Sequence, residues 1–393
     1  MNKQFIKPRY DAGGFAGIPN RIRDAFTSGK YDAVVLFLID AFGWRFFERF
    51  QDAAFLQRMA KYGRIEKLTS QFPSTTAAHV TTIHTGLPVG QSGIYEWYYY
   101  EPLVDQIIAP LLFSHAGTKE RDNLRSTKVE PVFLYPRGLF YPELKKLGVS
   151  PYVFGMREYT PSTYSSVVMA GAELRSFKTL SEAFINLGLL LEKQTKPTYI
   201  HLYFDKIDTL CHEYGPNAPQ TEAEIETFLL MLEYYFDRIF KGKKILFLMT
   251  ADHGASEVDP KTTIYLNTNP RFVGVDRFLK KNMRGDLLVP AGSARDMFLY
   301  IWEDMLDEAQ SFLAARLDGK ADVVKTELLI ADGYFGPEIS ARFRERLGNL
   351  VILPYRYESV WWYVKDKFEQ NFYGHHGGLT PQEMETILYS YEV

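Results

Sequence analysis

Apolar runs of strand length alternate with helix-like patterns along this chain. Residues 33–39 are all apolar and end at Asp40, which is typical of a parallel strand buried on both faces. The other runs that we predict as strands are 152–155, 199–204, 245–249 and 327–330. The segments with helical spacing are 45–62, 222–240 and 294–317. This rhythm predicts an α/β fold with a mostly parallel central sheet and helices on both of its faces.

The region at about 256–350 separates two groups of polar residues and carries strand and helix signals of its own. A chain of 393 residues suits one large α/β domain with an insertion, or two domains. We therefore predict a core formed by 1–255 and 351–393. The region 256–350, with approximate boundaries, is predicted to form a smaller inserted cap over one end of the sheet.

Composition and charge narrow the class of protein. Hydrophobic residues make up 46% of the chain, and the net charge is −3 without a basic block, so we expect no nucleic-acid surface and no membrane surface. The single cysteine, Cys211, excludes an intrachain disulfide and a cysteine-based zinc site. The first residues do not resemble a signal peptide, and the longest apolar run is far too short to span a membrane. If residue 1 is the native start, we expect a cytoplasmic protein.

Polar residues that suit metal binding follow several predicted strands. Asp40 directly follows 33–39, and Asp208 and His212 follow 199–204 at a spacing of four, which places both on one side of a helical turn. Because the carboxyl ends of parallel strands meet at one edge of a sheet, these side chains could converge on an ion. Each also has a simpler explanation as a helix cap or turn residue, and Asp205 could replace Asp208 as a ligand.

A second pair, Asp252 and His253, ends the predicted strand 245–249, and Gly254 would permit a turn that brings both side chains together. The segment 373–378 (Tyr-Gly-His-His-Gly-Gly) contains His376 between glycines, which argues against a regular element. A simple turn and a flexible loop remain the structural alternatives. Carboxylates and imidazoles are nevertheless ligands that zinc accepts.

Residues 72–76 (Phe-Pro-Ser-Thr-Thr) precede a segment of helical character. Hydroxyl groups at a helix N-terminus are good caps, which is the structural explanation. The same position also suits a phosphate group, because free N–H groups and the positive end of the helix dipole lie there. A threonine at that position needs activation to attack phosphorus, and a metal ion can provide it.

Taken in order, these segments resemble the alkaline phosphatase superfamily, in particular its type I phosphodiesterase and nucleotide pyrophosphatase branch. The matching segments are 38–40 (Leu-Ile-Asp), 72–76, 84–88 (His-Thr-Gly-Leu-Pro), 208–216 (Asp-Thr-Leu-Cys-His-Glu-Tyr-Gly-Pro), 250–254 (Thr-Ala-Asp-His-Gly) and 376–380 (His-Gly-Gly-Leu-Thr). The region 256–350 matches no motif. The resemblance implies an alkaline-phosphatase-like fold and two divalent metal ions, zinc or, alternatively, manganese.

The resemblance also implies the roles of individual residues. The implied metal ligands form two sets: Asp208, His212 and His376, and Asp40, Asp252 and His253. Thr76 would contact the metals as the nucleophile, because it stands at the family's Pro-x-x-Thr spacing; Thr75 is the second choice and Ser74 the third. The implied reaction is hydrolysis of a phosphodiester or pyrophosphate bond through a phosphothreonine. The implied partner is a small anionic phosphoester, with a nucleotide-like one among the candidates.

Two departures from that branch concern the substrate site. Ala77, Ala78 and His79 follow the nucleophile where the branch usually has Phe-Pro-Asn. An asparagine expected about twenty residues later would fall near Glu96 and Trp97, and none is there. The aromatic run 95–100 occupies that place and either packs in the core or lines the pocket.

Three alternatives stay open at this stage. One is a phosphomonoesterase or phosphonate hydrolase on the same scaffold, for which Lys67, Arg157 or Arg295 could supply an extra cation. A sulfatase is disfavoured because position 76 holds threonine rather than cysteine or serine. The third is a metal-binding protein that has lost turnover.

Overall fold

The fold is described by a computed structural model that covers residues 1–240 and 242–393. Its strands are β1 Ala33–Ile39, β2 Arg64–Thr69, β3 Tyr99–Glu101, β4 Gln106–Ala109, β5 Ser114–His115, β6 Ser150–Met156, β7 Glu173–Phe177, β8 Thr198–Phe204, β9 Ile245–Thr250, β10 Ser256–Glu257, β11 Ile264–Tyr265, β12 Met297–Leu299, β13 Ala321–Lys325, β14 Leu350–Pro354, β15 Val360–Trp361, β16 Gly374–His375 and β17 Glu385–Glu392. Its helices are α1 Ile18–Thr27, α2 Trp44–Phe50, α3 Ala54–Tyr62, α4 Thr76–Thr85, α5 Val89–Ser92, α6 Pro131–Leu134, α7 Phe140–Lys146, α8 Thr163–Val168, α9 Leu180–Lys193, α10 Lys206–Tyr214, α11 Pro219–Phe240, α12 Leu306–Arg316, α13 Thr326–Ala331, α14 Ala341–Arg346 and α15 Pro381–Met384.

A seven-stranded sheet with the order β2-β17-β9-β1-β8-β6-β7 forms the centre of the molecule. The strands β9, β1, β8, β6 and β7 run parallel, whereas β17 is antiparallel to both of its neighbours. The predicted mostly parallel sheet is therefore confirmed. Because β1 lies between β8 and β9 and all three are parallel, the residues that follow these strands lie side by side at one edge of the sheet.

The central strand β1 explains the layered core. All seven of its residues are buried, and alternate side chains enter two different hydrophobic clusters. Val34, Leu36 and Leu38 pack on the face covered by α1, α4 and α7, while Val35 and Phe37 pack on the face covered by α3, α9 and α11. Burying each such side chain stabilises the fold by about 1.5–3 kcal/mol, so a continuous apolar strand is favoured in this position.

Three predicted elements differ from the structure. Residues 327–330 are helical, as part of α13, because a run of only three apolar residues after Glu327 does not distinguish a strand from a helix. The predicted helix 294–317 is instead β12 followed by α12, since the residues of β12 are fully buried and pair with β14. The segment 45–62 contains two helices, α2 and α3, rather than one.

A third hydrophobic cluster lies outside the central sheet and is built around the three-stranded sheet β12-β14-β13. Its buried residues run from Leu266 to Trp362, and β14 pairs with β12 and β13, while Val351 and Leu353 of β14 also pack on the first core cluster. We therefore propose that the inserted region extends beyond the predicted boundary at 350. Among the helices in residues 1–240 and 242–393, none is long and apolar enough to cross a membrane; the cytoplasmic location stays a prediction.

Candidate active site

Thr76 is the first residue of α4, at the edge of the sheet where β1 and β9 end. Its Oγ1 lies 3.2 Å from Nε2 of His253 and 3.4 Å from Oδ2 of Asp40. Thr75 is the N-cap residue, yet its side chain makes no capping bond within the described part of the chain. The simple capping explanation of the hydroxyl cluster therefore does not account for Thr76, whose hydroxyl faces the predicted ligands.

The first predicted ligand set comes together around Asp208. On α10 the spacing of four places His212 beside it, with 3.3 Å between Nε2 of His212 and Oδ2 of Asp208. His376 approaches the other carboxylate oxygen, with 3.6 Å between its Nε2 and Oδ1 of Asp208. Two segments separated by more than 160 residues thus present their side chains to one point.

The second predicted set lies beside it. Nε2 of His253 is 3.3 Å from Oδ1 of Asp40 and 3.4 Å from Oδ2 of Asp252. The turn after β9 that brings Asp252 and His253 together requires close backbone packing at Gly254. A Cβ atom at this position would lie 2.2 Å from the backbone oxygen of Gln382, so glycine is needed for close approach rather than for an unusual backbone angle.

Hydrogen bonds orient the three histidine rings. Nδ1 of His212 contacts the backbone oxygen of Gly374 at 2.8 Å, Nδ1 of His253 that of Gly254 at 2.9 Å, and Nδ1 of His376 that of Ser74 at 2.9 Å. These contacts place a proton on Nδ1 and direct Nε2 at the carboxylates. Backbone carbonyls commonly orient metal-binding histidines in this way.

The same residues form two overlapping groups of possible metal ligands. Oδ1 of Asp40, Oδ1 of Asp208 and Oδ2 of Asp252 are buried and have no hydrogen-bond partner among residues 1–240 and 242–393. Ligand atoms lie within 4.8 Å of one another in two groups: Asp208, His212 and His376, and Asp40, Asp208 and His253. The first group equals a predicted set; in the second, Asp208 stands where Asp252 was predicted. Nitrogen and oxygen donors of this kind suit zinc.

The electrostatics of the site agree with a demand for positive charge. Burial, together with the neighbouring Asp252 and Asp208, raises the pKa of Asp40 well above its ordinary value. Burial and the nearby His253 hold the pKa of His376 well below its ordinary value, so its imidazole is neutral. A neutral imidazole is the form that binds a metal ion, and a cation between the carboxylates would relieve their repulsion.

Several residues near the site were not singled out as functional from the sequence. The hydroxyl of Tyr203 donates to Oδ2 of Asp40 and helps to orient that carboxylate. Glu96 is buried near Thr75 and the carboxyl group of Asp296, and Oε1 of Glu96 and Oδ2 of Asp296 have no hydrogen-bond partner among the described residues. The alternation of β8, which places Tyr203 two residues after His201 on one face, was the only available signal for Tyr203. Nothing in the sequence pairs Glu96 with Asp296.

Of the three cationic residues considered for a monoesterase, two form ion pairs with glutamates and one is exposed to solvent. Arg295 is fully buried and holds both carboxylate oxygens of Glu383 at 2.9 Å. Lys67 forms an ion pair with Glu385 at 2.7 Å. Arg157 is exposed on the surface.

Two cavities meet at Thr76. One, of about 290 Å³, extends between α4 and β8, and the other, of about 350 Å³, extends past His212 and His376 towards the inserted region. Trp97 lines both cavities, and Tyr98 lines the second, as expected for one or two members of the aromatic run. Tyr95 and Tyr99 instead stack on each other in the core. The arrangement offers space on two sides of the Thr76 hydroxyl.

Comparisons with known proteins agree with this geometry. The family model for type I phosphodiesterase / nucleotide pyrophosphatase matches residues 34–379. Murine ectonucleotide pyrophosphatase / phosphodiesterase 5 is 15% identical, with a TM-score of 0.68 over 91% of this chain and 87% of that chain; an inactive variant of it was solved in complex with AMP. Phosphonoacetate hydrolase from Sinorhizobium meliloti, in complex with phosphonoacetate, is 16% identical, with a TM-score of 0.64 over 92% and 90% of the chains. The curated proteins gave no match.

Proposed function

Because this chain belongs to the type I phosphodiesterase / nucleotide pyrophosphatase family, we propose that it hydrolyses a phosphodiester or pyrophosphate bond with Thr76 as the nucleophile. Membership of the family supports phosphoester hydrolysis as the class of reaction. The observation that carries the finer proposal is the Thr76 hydroxyl, which lies 3.2 Å from Nε2 of His253 and opens onto both cavities.

Seven side chains would form the reaction centre. The proposed ligands of two divalent ions are Asp208, His212 and His376, and Asp40, Asp252 and His253, with Thr76 beside both sets. Bound zinc or manganese would supply Lewis-acid charge and lower the pKa of the threonine hydroxyl. Thr76 is held for attack because its own backbone begins α4, and the positive end of this ten-residue helix favours the phosphate group.

The chemistry of the chain then has two halves. The Thr76 oxygen forms a bond to phosphorus while the bond from phosphorus to the departing ester oxygen breaks, which leaves a phosphothreonine. Water then attacks that phosphorus, and the bond to Thr76 breaks to restore the hydroxyl. Tyr203, by donating a hydrogen bond to Asp40, keeps this carboxylate beside the nucleophile throughout.

A diester is favoured over a monoester by the shape of the site. A phosphodiester carries two organic groups, and cavities of about 290 and 350 Å³ extend from Thr76 in different directions. The cation expected for the extra charge of a monoester is not supplied by Arg295, which is neutralised by Glu383. A nucleotide-like diester satisfies both observations, and a small phosphonate would leave much of the space empty.

The first experiment compares bis-p-nitrophenyl phosphate with p-nitrophenyl phosphate as substrates. The protein is assayed after chelation and after reloading with zinc or with manganese. We expect metal-dependent hydrolysis with a higher kcat/KM for the diester. A preference for the monoester would assign the chain to the phosphatase alternative, and retained metal with no turnover of either ester would favour a binding protein.

Replacing the nucleophile tests the mechanism. We expect Thr76→Ala to lower kcat by about 10³-fold or more, because effects of this order follow the removal of a covalent nucleophile. Thr75→Ala is the matched control, since it removes the adjacent hydroxyl and should keep activity within about tenfold. Metal content, measured on both variants, must stay equal to that of the parent protein. A larger loss in Thr75→Ala than in Thr76→Ala would move the nucleophile by one residue.

A further inference from the structure

The cavity between α4 and β8 is a slot with a defined direction. Thr76, Val80 and His84 line it from α4, and their spacing of four places them on one face of the helix. Eight residues of helix separate Thr76 from His84, which corresponds to about 12 Å along the helix axis. The slot therefore begins at the nucleophile and leads away from it beneath α4.

Strand β8 forms the opposite wall of the slot and runs along its length. His201 and Tyr203 lie on one face of β8, and both line the slot. Tyr203 contacts Asp40 at the reaction centre, whereas His201 meets His84 at the far end, with 4.7 Å between their ring centroids. The slot thus joins the reaction centre to a pair of buried histidines.

His201 is the unexplained group in this slot. It is 0% exposed, and neither of its ring nitrogens has a hydrogen-bond partner in the part of the chain that the structure describes. His84 differs, because its Nδ1 is 2.6 Å from the hydroxyl of Tyr141. Leaving two buried ring nitrogens without partners is costly. Both nitrogens are closed off from the slot in this structure, so a ligand that reaches its end would gain hydrogen bonds from His201 once the ring turns towards it.

The chemistry of that group selects an uncharged ligand. Burial lowers the pKa of His201 to about 3, so at neutral pH its ring offers one N–H donor and one acceptor nitrogen and no positive charge. The apolar part of its lining includes Val80, Leu111, Val153 and Met169, beside hydroxyl side chains such as Ser162 and Ser165. Arg121, the cation that lines the slot, is exposed to solvent. An anionic group at the far end would therefore be buried without a counter-charge.

We propose that this slot holds one ester group of the substrate and selects an extended, uncharged organic group whose far end exchanges hydrogen bonds with His201. The inference rests on the proposed phosphodiesterase function and names the class of group that the diester carries. The apolar walls contribute burial, and His201 contributes the hydrogen bonds that define the end of the group. A methyl ester would reach neither.

Three p-nitrophenyl phosphodiesters test the proposal, because they share one leaving group and differ only in the second ester group. These groups are methyl, 2-(4-carbamoylphenyl)ethyl and 2-(4-carboxyphenyl)ethyl. We expect kcat/KM for the uncharged carbamoyl ester to exceed that of the methyl ester and of the carboxy ester by about tenfold or more, the order that one buried hydrogen bond provides. Equal values for the carbamoyl and methyl esters would overturn the proposal.

Two variants locate the effect. His201→Phe keeps a ring and removes both nitrogens, and we expect it to lower the ratio of carbamoyl to methyl kcat/KM by about tenfold. Val80→Phe narrows the slot near its middle and should lower the same ratio. Tyr199→Phe is the matched control: Tyr199 lies two residues from His201 on the same face of β8, and its buried hydroxyl also lacks a partner within the described residues. It does not line the slot, so the ratio should not change.

Direct binding separates this inference from the proposed function. Calorimetry with 2-(4-carbamoylphenyl)ethanol should show binding to the parent protein and to Tyr199→Phe, and weaker binding to His201→Phe. Nitrogen-15 signals of the His201 ring should shift when the alcohol is added. If no ester is hydrolysed, the proposed function fails while this binding still decides the slot; hydrolysis of all three esters at equal rates, without binding of the alcohol, overturns the slot alone.

Discussion

Two buried polar clusters lie close together in this molecule and differ in how their charges are matched. At the reaction centre, Asp40, Asp208 and Asp252 each carry one oxygen without a hydrogen-bond partner among the residues described. A few residues beyond His376, Glu383 receives two bonds of 2.9 Å from Arg295, whose remaining nitrogen donates to the backbone oxygen of Tyr355 at 2.8 Å. Asp40, Asp252, Arg295 and Glu383 are fully buried, whereas Asp208 is partly exposed.

This difference suggests a structural role for the charge-matched pair and a ligand-binding role for the cluster with unpartnered oxygens. The Arg295–Glu383 pair is complete within the chain and ties the inserted region to the segment that carries His376, so it has little capacity left for a ligand. At the proposed reaction centre, bound cations would satisfy the carboxylate oxygens that have no partner among the described residues. A third cluster, the carboxyl pair of Glu96 and Asp296 beside Thr75, lies between these cases because each residue meets another acid rather than a cation.

Breaking the complete cluster should have the largest effect on stability. We expect Arg295→Met to lower the free energy of unfolding by about 3–5 kcal/mol, because it leaves Glu383 buried without its partner. Arg344→Met is the control, since the Arg344–Glu327 pair is largely exposed and should contribute less than about 1 kcal/mol. Urea unfolding of both variants measures the difference. Equal stability of Arg295→Met and the parent protein would remove the distinction between the two clusters.

Removing metal should have the next largest effect. Zinc at about 100-fold above its dissociation constant stabilises a folded protein by about 2.7 kcal/mol, so chelation should lower Tm and reloading should restore it. Asp208→Asn should weaken this response strongly, whereas Asp205→Asn should preserve it. The two variants test which aspartate is the ligand: Asp208, which lies in α10, or Asp205, which is the N-cap residue of α10. A Tm that does not respond to chelation, or a response lost only in Asp205→Asn, would contradict the proposed ligand set.

The third cluster, formed by Glu96 and Asp296, should make the free energy of unfolding depend on pH. Burial raises the pKa of Glu96 from 4.5 to about 8, so the folded protein retains a proton that the unfolded chain loses above pH 4.5. The stabilisation is full below pH 4.5 and declines as pH rises through 8. Between pH 6 and 8 the loss should reach up to about 2 kcal/mol, since one pKa unit corresponds to about 1.4 kcal/mol.

Glu96→Gln removes this titration, because its amide stays neutral, and should flatten the decline relative to the parent protein. Unfolding in urea at pH 6 and pH 8, with a chelator present, provides the measurement. Glu158→Gln, at an exposed position, should leave the pH dependence unchanged. Parallel curves for Glu96→Gln and the parent protein would show that Glu96 does not carry the proton.

The sequence by itself determined the central strands, the sheet class and the residues that meet at its edge. β1 is a continuous apolar run because it is buried on both faces, and this pattern is visible without coordinates. The order of the short motifs indicated the family, which the match over residues 34–379 confirmed. The individual roles of Thr76 and of the six ligands remain proposals.

Only the tertiary structure decided the features that depend on distant partners. The residues of β12 were predicted as helix because their pairing with β14 is not encoded in local periodicity. The contact of Glu96 with Asp296, the sharing of Asp208 between two ligand groups and the alignment of His84 with His201 join segments far apart in the chain. Local spacing specifies which side of an element a residue occupies, but long-range packing specifies what that residue meets.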